Sequence, residues 1–236
     1  MIKWQKKFIE REENFFCDFH IHSNYSFDSI TPIKKIITIS KKKKIDCIAI
    51  TDHNSIQGAI EAKKKTDKTL MIITGSEIRT EYGDIIGLFL NEEIHSRIFF
   101  EVVDEIKTQG GLIIAPHPFK SKIKDYLSYV HIIEVVNARI SDNQNDQAFE
   151  YAAQNNIPGI GSSDAHLGYE IGRIQTVFSH PVNDEDDLRQ AIIRNDCEIH
   201  GYPSPKWVHY FSASIGAVKT KNFRKLLHSV VKKISE

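Results

Sequence analysis

The sequence predicts an α/β protein built on parallel strands, with a barrel favoured over an open sheet. Short apolar runs alternate with charged segments of helical length, the pattern of strand–helix–strand units. The alternation recurs along the chain without an internal repeat or a Pro/Gly/Ser-rich linker, so 1–236 reads as a single domain. Its 236 residues suffice for one sizeable core. Periodicity alone does not choose between barrel and open sheet.

Phe15 to Ile21 is a first strand, followed by a helix from Pro32 to about Lys44 with Thr31 as its N-cap. Asp46 to Ile50 is a second strand and Ser55 to Lys65 a second helix. Leu70 to Ser76 is a third strand, and Asp84 to Leu90 is its hairpin return through Tyr82-Gly83. Ile94 to Gln109 is a helix closed by Gly110-Gly111. Leu112 to Ala115, Ile132 to Val136 and Gly159 to Ser162 are further strands, with Asp142 to Asn155 a helix before the last. Gly172 to Phe178 is a late strand, and Asp184 to Arg194 a helix with acidic residues at its N-terminus. A basic extension covers about 201–236, helical from Ser214 to Lys233.

Lys+Arg and Asp+Glu both number 31, so no global field draws the chain to nucleic acid or an anionic membrane. The Lys41 to Lys44 run is expected to be a solvated last helical turn. No apolar stretch approaches the roughly 18 residues of a membrane span. The charged Met1 to Phe16 segment does not resemble a signal peptide. Cys17, Cys47 and Cys197 form no C-x-x-C pair; Cys17 and Cys47 sit in apolar runs as small core residues. These features predict a cytoplasmic protein.

The chemistry lies at the strand ends. Five of the eleven histidines, His20, His22, His53, His117 and His166, fall there with Glu77 and Asp164. Asp18, His20 and His22 alternate along the first strand and are expected to share one face, with Asp18 placed to orient a ligand. The rim at the C-terminal ends of parallel strands is where α/β barrels build active sites. Burying so many ionisable groups together is costly without a cation. Imidazole plus carboxylate without thiolate suits Zn, Mn or Fe. The donors exceed the needs of one ion, implying two or three. His95, His131, His180, His200, His209 and His228 lack this context and are read as structural or exposed.

Four ordered motifs resemble the polymerase and histidinol phosphatase (PHP) family. They are Asp18-Phe19-His20-Ile21-His22-Ser23, Thr51-Asp52-His53-Asn54, His117-Pro118 and Ser163-Asp164-Ala165-His166, with Glu77 between the second and third. The resemblance covers about residues 15–200. It implies a distorted seven-stranded (β/α) barrel with two or three divalent ions at its C-terminal rim. By resemblance, His20, His22, Glu77 and Asp164 hold one ion, and Glu77 and His117 a second. Asp28, His53 and His166 match a third. Asp84, ahead of Ile85-Ile86-Gly87, stands where many relatives have a histidine and is a candidate ligand. The stretch Glu170-Ile171-Gly172-Arg173, Thr176, Phe178, Asp187-Leu188-Arg189 and Gly201 resembles standalone members of the family.

The expected activity is hydrolysis of a small phosphate mono- or diester, such as a nucleotide or sugar phosphate, by hydroxide activated at the ions. His53, Asp164 and His166 are the candidate catalytic residues. Arg79, Arg139 and Arg173 are the candidates for gripping phosphate. One alternative is an exonuclease acting on oligonucleotide ends. Another is a non-catalytic regulatory or nucleic-acid-binding module.

Overall fold

Apolar, β-branched runs such as Ile72-Ile73 and Ile113-Ile114 become buried strands, and the charged segments between them become helices on the outside. The computed structural model describes residues 3–7 and 14–221. Its strands are β1 (Lys3–Gln5), β2 (Phe15–Ile21), β3 (Cys47–Ile50), β4 (Met71–Arg79), β5 (Asp84–Leu88), β6 (Leu112–Ala115), β7 (Ile132–Asn137), β8 (Gly159–Ser162), β9 (Ile174–Phe178) and β10 (Glu198–Gly201). Its helices are α1 (Ile33–Lys42), α2 (Gln57–Lys65), α3 (Phe99–Thr108), α4 (Asp142–Asn155), α5 (Glu185–Arg194) and α6 (Trp207–Lys219). No helix among the described residues is long and apolar enough to cross a membrane.

The strands form one sheet in the order β1-β10-β9-β2-β3-β4-β5-β6-β7-β8. The runs β2-β3-β4 and β6-β7-β8 are parallel; β5 is antiparallel to both neighbours, and β9 to β2 and β10. The sheet curls until β8 meets β2 and β9. The Thr176 hydroxyl donates to the Gly161 carbonyl at 2.8 Å and accepts from its N–H at 2.9 Å. Beyond β8, Ala165 bridges Ile21: its N–H donates to the His20 carbonyl at 3.1 Å and its carbonyl accepts from the His22 N–H at 2.8 Å. The α/β expectation therefore holds as a curled half-barrel, with ten strands among the described residues in place of seven. Eight of these match the strands read from the sequence, including the antiparallel β5 and β9; the short β10 and β1 continue the sheet beyond β9.

Several expectations change at element ends. Pro32, not Thr31, occupies the N-cap position of α1, without a side-chain cap; the Thr31 hydroxyl donates instead to the His166 carbonyl at 3.3 Å. Helix α3 starts at Phe99, because the N–H groups of His95 and Ser96 are held outside the helix by the Glu105 carboxylate. The C-terminal helix starts at Trp207, and the expected helix beyond residue 221 lies outside the described residues. Lys42, Lys43 and Lys44 are exposed, and the Lys43 ammonium also donates to the Ile171 carbonyl. All three cysteines are free and buried.

The loops after β2 and β3 are clamped together by Asp52. Its carboxylate accepts from the Ser23 N–H and hydroxyl, both at 2.6 Å. Gly58 of α2 makes room for this clamp, since a Cβ there would lie 2.0 Å from Asp52 Oδ2. Gly58→Ala should therefore lower stability by about 1–3 kcal/mol, as overpacking does, although alanine favours a helix by about 1 kcal/mol. Urea unfolding measures the balance; an unchanged or raised midpoint would show that the clamp yields freely.

Candidate metal centre

Strand β2 delivers His20 and His22, but not in simple alternation with Asp18. Asp18 pairs with Ile48 and Ile21 pairs with Ile50, so one extra residue is bulged between them. Ile48 and Ile50 share a face, and Asp18 and Ile21 therefore share it too, while His20 turns to the other. Asp18 does not orient a histidine. Its carboxylate accepts from the Ser163 hydroxyl and N–H and the Gly172 N–H, tying the ends of β8 and β9 to β2. Burial, only partly offset by those hydrogen bonds, pushes its pKa up to about 6.

The partner that orients His20 is Glu134, in the middle of β7. His20 Nδ1–H donates to Glu134 Oε1 at 3.1 Å, and Glu134 Oε2 accepts from the His117 N–H at 2.9 Å and the Asn137 amide at 2.8 Å. His22 Nδ1–H donates to the Ser26 hydroxyl at 3.0 Å. With the outer nitrogen of each ring tied, the Nε2 lone pairs of His20 and His22 face one another at 3.0 Å. Glu77 Oε2 lies 3.4 and 3.3 Å from them, and Asp164 Oδ1 3.5 Å from each. Four acceptors at the corners of a tetrahedron about an ion, at bonds of about 2.0–2.1 Å, stand about 3.3 Å apart. The spacings of the two Nε2 atoms from each other and from both carboxylates, 3.0–3.5 Å, are close to that edge, and the donors fit a divalent cation.

Glu77 lies within β4 and not past its end, because β4 continues through Arg79 against β5. Its second oxygen, Oε1, is 3.2 Å from His117 Nε2, and Asp84 completes a group with these two. His53 Nδ1 is 3.2 Å from Glu77 Oε2, while its Nε2 is 3.3 Å from Asp28 Oδ2. His166 Nε2 also reaches Asp28 Oδ2, at 3.1 Å, and His166 Nδ1 lies 2.9 Å from the Asp164 carbonyl. His22, Asp28, His53 and His166 thus form another group, and Asp28 Oδ1 is buried without a partner. His117 and Asp164 carry φ of 33° and 50°, a left-handed backbone that costs a side-chain-bearing residue energy and clusters at functional sites.

The sequence-derived metal set is thus brought together in full. The arginines divide. Arg79 donates to both oxygens of Asp84, at 2.7 and 3.1 Å. Arg139 lies against His166 Nδ1, donates to the Ser212 hydroxyl at 2.5 Å, and sits 3.4 Å from Glu170. Both line a cavity of about 290 Å³ above the clusters. Arg173 does not line it; its guanidinium holds the Pro203 carbonyl and the Tyr169 hydroxyl.

The sequence assigned no site role to Glu134, Glu170, Ser26, Lys120 or His209, the last being read as structural or exposed. Glu134 carried a signal, an ionisable residue inside the apolar run Ile132-Ile133-Glu134-Val135-Val136. His209 carried none, since only α6 brings it to the cavity.

Residues 142–197 match the family described as PHP-associated (PHP_C). An uncharacterized protein of Methanocaldococcus jannaschii is 37% identical over 186 residues, 72% of this chain and 74% of the relative. The chain belongs to the PHP family. The PHP_C match contains Asp164, His166 and Glu170. Among solved structures, a two-domain protein of Bacteroides vulgatus containing a predicted PHP-like metal-dependent phosphoesterase superposes with TM-score 0.69 at 19% identity, over 80% of this chain. This PHP chain spans 65% of that protein's length. The lesion-specific endonuclease Q of Pyrococcus furiosus superposes with TM-score 0.61 at 18% identity, over 79% of this chain and 57% of its own. At such identities these two likenesses establish the fold.

Without a cation, His20 and His22 hold protons. Burial opposes charge on His22, but hydrogen bonds to Asp164 and Glu77 outweigh it and raise its pKa to about 10. His20 is also raised, burial being outweighed by Asp164, Glu134 and Glu77. A raised histidine stabilises the fold fully below its unfolded pKa of about 6.5 and loses that as pH climbs through its folded value. The depressed carboxylates Glu77 and Asp164 lose their contribution only in acid. His166, pushed down to about 4 by burial and then by His22 and Arg139, costs stability only below about pH 6.5. The Tm of metal-stripped protein should therefore fall between pH 7 and 9. Loading with Mn at pH 7 should release protons, measured by calorimetry in buffers of differing ionisation enthalpy. Loading without proton release would remove His20 and His22 from the ligand set.

Proposed function

We propose that this protein is a metal-dependent phosphoesterase hydrolysing a small phosphate mono- or diester. The observation that carries the reading is the sharing of donors. Nine side chains form three groups, with His22 common to two of them, and seven of the nine line one cavity. In this reading His20, His22, Glu77 and Asp164 hold one cation, Glu77, His117 and Asp84 a second, and Asp28, His53, His166 and His22 a third. The donor chemistry suits Zn, Mn or Fe. When bound, such ions act as Lewis acids toward a phosphoryl oxygen and lower the pKa of water.

The chain's own groups do the positioning. Arg139 reaches the cavity beside His166 and Asp164 and supplies a guanidinium for phosphate oxygens. Arg79 does the same from the Asp84 side. Glu134 holds His20 in the tautomer that presents Nε2. His53, Asp164 and His166 border the space a leaving group enters. The likeness to a predicted phosphoesterase of Bacteroides and to a lesion-specific endonuclease agrees with phosphoester chemistry. Endonuclease Q has also been solved with a 27-mer duplex bearing an abasic lesion, which keeps action on oligonucleotides as the second reading. The intact donor set favours an enzyme over a regulatory module. A single domain working in the cytoplasm completes the reading.

A screen of phosphomonoesters, phosphodiesters and labelled oligonucleotides with Mn-loaded protein tests it. Glu77→Gln should lose hydrolysis and bind metal about 10- to 100-fold more weakly, with an unchanged circular dichroism spectrum. Wild-type turnover and stoichiometry in that variant would overturn the assignment. Cleavage of oligonucleotide ends alone would select the nuclease reading.

A further inference from the structure

The cavity has an outer wall that the metal motifs do not supply. Helix α6 contributes His209, Ser212, Ala213, Gly216 and Ala217 to it. The wall is fastened: the Lys219 ammonium donates to the carbonyls of Asn24, Ser26 and Ser29, in the loop that carries Asp28. A cavity of about 290 Å³ behind a tethered helix suits a small molecule, at the lower end of ordinary ligand pockets.

Outside the ligand groups, four basic side chains line this space, and two are already committed. Arg79 is paired with Asp84, and Arg139 with Glu170 and Ser212. The others are Lys120 and His209. Lys120 follows His117 closely, at the end of the short 3₁₀ turn Pro118–Lys120. Its ammonium has no ion pair or hydrogen bond among the described residues, and neither has the half-buried ring of His209. Burial, then the charges of Arg139 and Lys120, push the His209 pKa down to about 4, so its imidazole is neutral with one donor and one acceptor nitrogen. Cations in the three ligand groups would balance the carboxylates there and take the phosphate. Lys120 would then remain as the cation without a counter-charge in the cavity.

We infer that Lys120 and His209 form a second anion subsite, and that the substrate is a small phosphate ester carrying a further anionic group, a carboxylate or second phosphate, a short spacer away from the reacting phosphorus. This rests on the phosphoesterase reading and adds the substrate class to it. Lys120 supplies charge to the distal anion, and His209 a hydrogen bond. An internal link of a polynucleotide meets the tethered face of α6 instead.

Two phosphonates separate the subsite from the phosphate site, because neither can be hydrolysed. 3-Phosphonopropionate and propylphosphonate have the same length and differ in one terminal carboxylate. Calorimetric binding to the Mn-loaded full chain should give a Kd about tenfold lower for 3-phosphonopropionate. Lys120→Met should abolish that difference while leaving the Kd of propylphosphonate unchanged, and His209→Phe should reduce it. Equal affinity of the two ligands for the wild type would overturn the subsite with the phosphoesterase reading intact. So would a preference that survives Lys120→Met, since the carboxylate would then be held elsewhere. Failure of both phosphonates to bind would overturn the phosphoesterase reading, and the subsite with it.

Discussion

The carboxylate of Glu77 touches four imidazoles delivered by three separate strand ends. Oε2 faces His20, His22 and His53 at 3.2–3.4 Å, and Oε1 faces His117 at 3.2 Å. A carboxylate has no proton to share at neutral pH, and each imidazole keeps a lone pair inward when its outer nitrogen donates elsewhere. Such a convergence of acceptors in a buried place needs positive charge, from protons on the rings or from cations. The rest of the site follows from supplying that charge in a fixed place. Glu134 and Ser26 hold the outer nitrogens, and Asp52 clamps the loops after β2 and β3.

The curl of the sheet makes the convergence possible. The first and fourth motifs lie far apart in sequence, yet Ala165 is hydrogen-bonded on both sides to the backbone of His20 and His22. Asp18 reinforces that seam through Ser163 and Gly172. Left-handed backbone at His117 and Asp164 is the local cost of aiming both side chains inward. The surrounding core, with Phe19, Ile50, Ile73 and Ile133 fully buried, holds these strained positions.

Much of this was legible in the sequence, for particular reasons. Buried strands leave continuous apolar runs, and a polar group directly after or late in such a run announces a strand-end site. His20, His22, His53, Glu77, His117 and Asp164 all stand out in this way. The bulge in β2 was not legible, because one extra residue changes which way Asp18 faces without changing composition. Glu134 was overlooked although it interrupts an apolar strand. The short strands β1 and β10 contain too few residues to show a period. Arg173 looked equivalent to Arg139 by composition, and tertiary structure separated them: one holds the Pro203 carbonyl, the other borders the cavity. His209 shows the same limit, since its place depends on how α6 crosses the rim.

The account stands on cations occupying the three ligand groups around Glu77 and His22. Anomalous diffraction from crystals of protein grown without added metal and then soaked in Mn tests that directly. The account predicts anomalous peaks among the Nε2 atoms of His20 and His22, between Glu77 and His117, and beside Asp28, His53 and His166. Mn-soaked crystals with no anomalous density at any of these positions would contradict it.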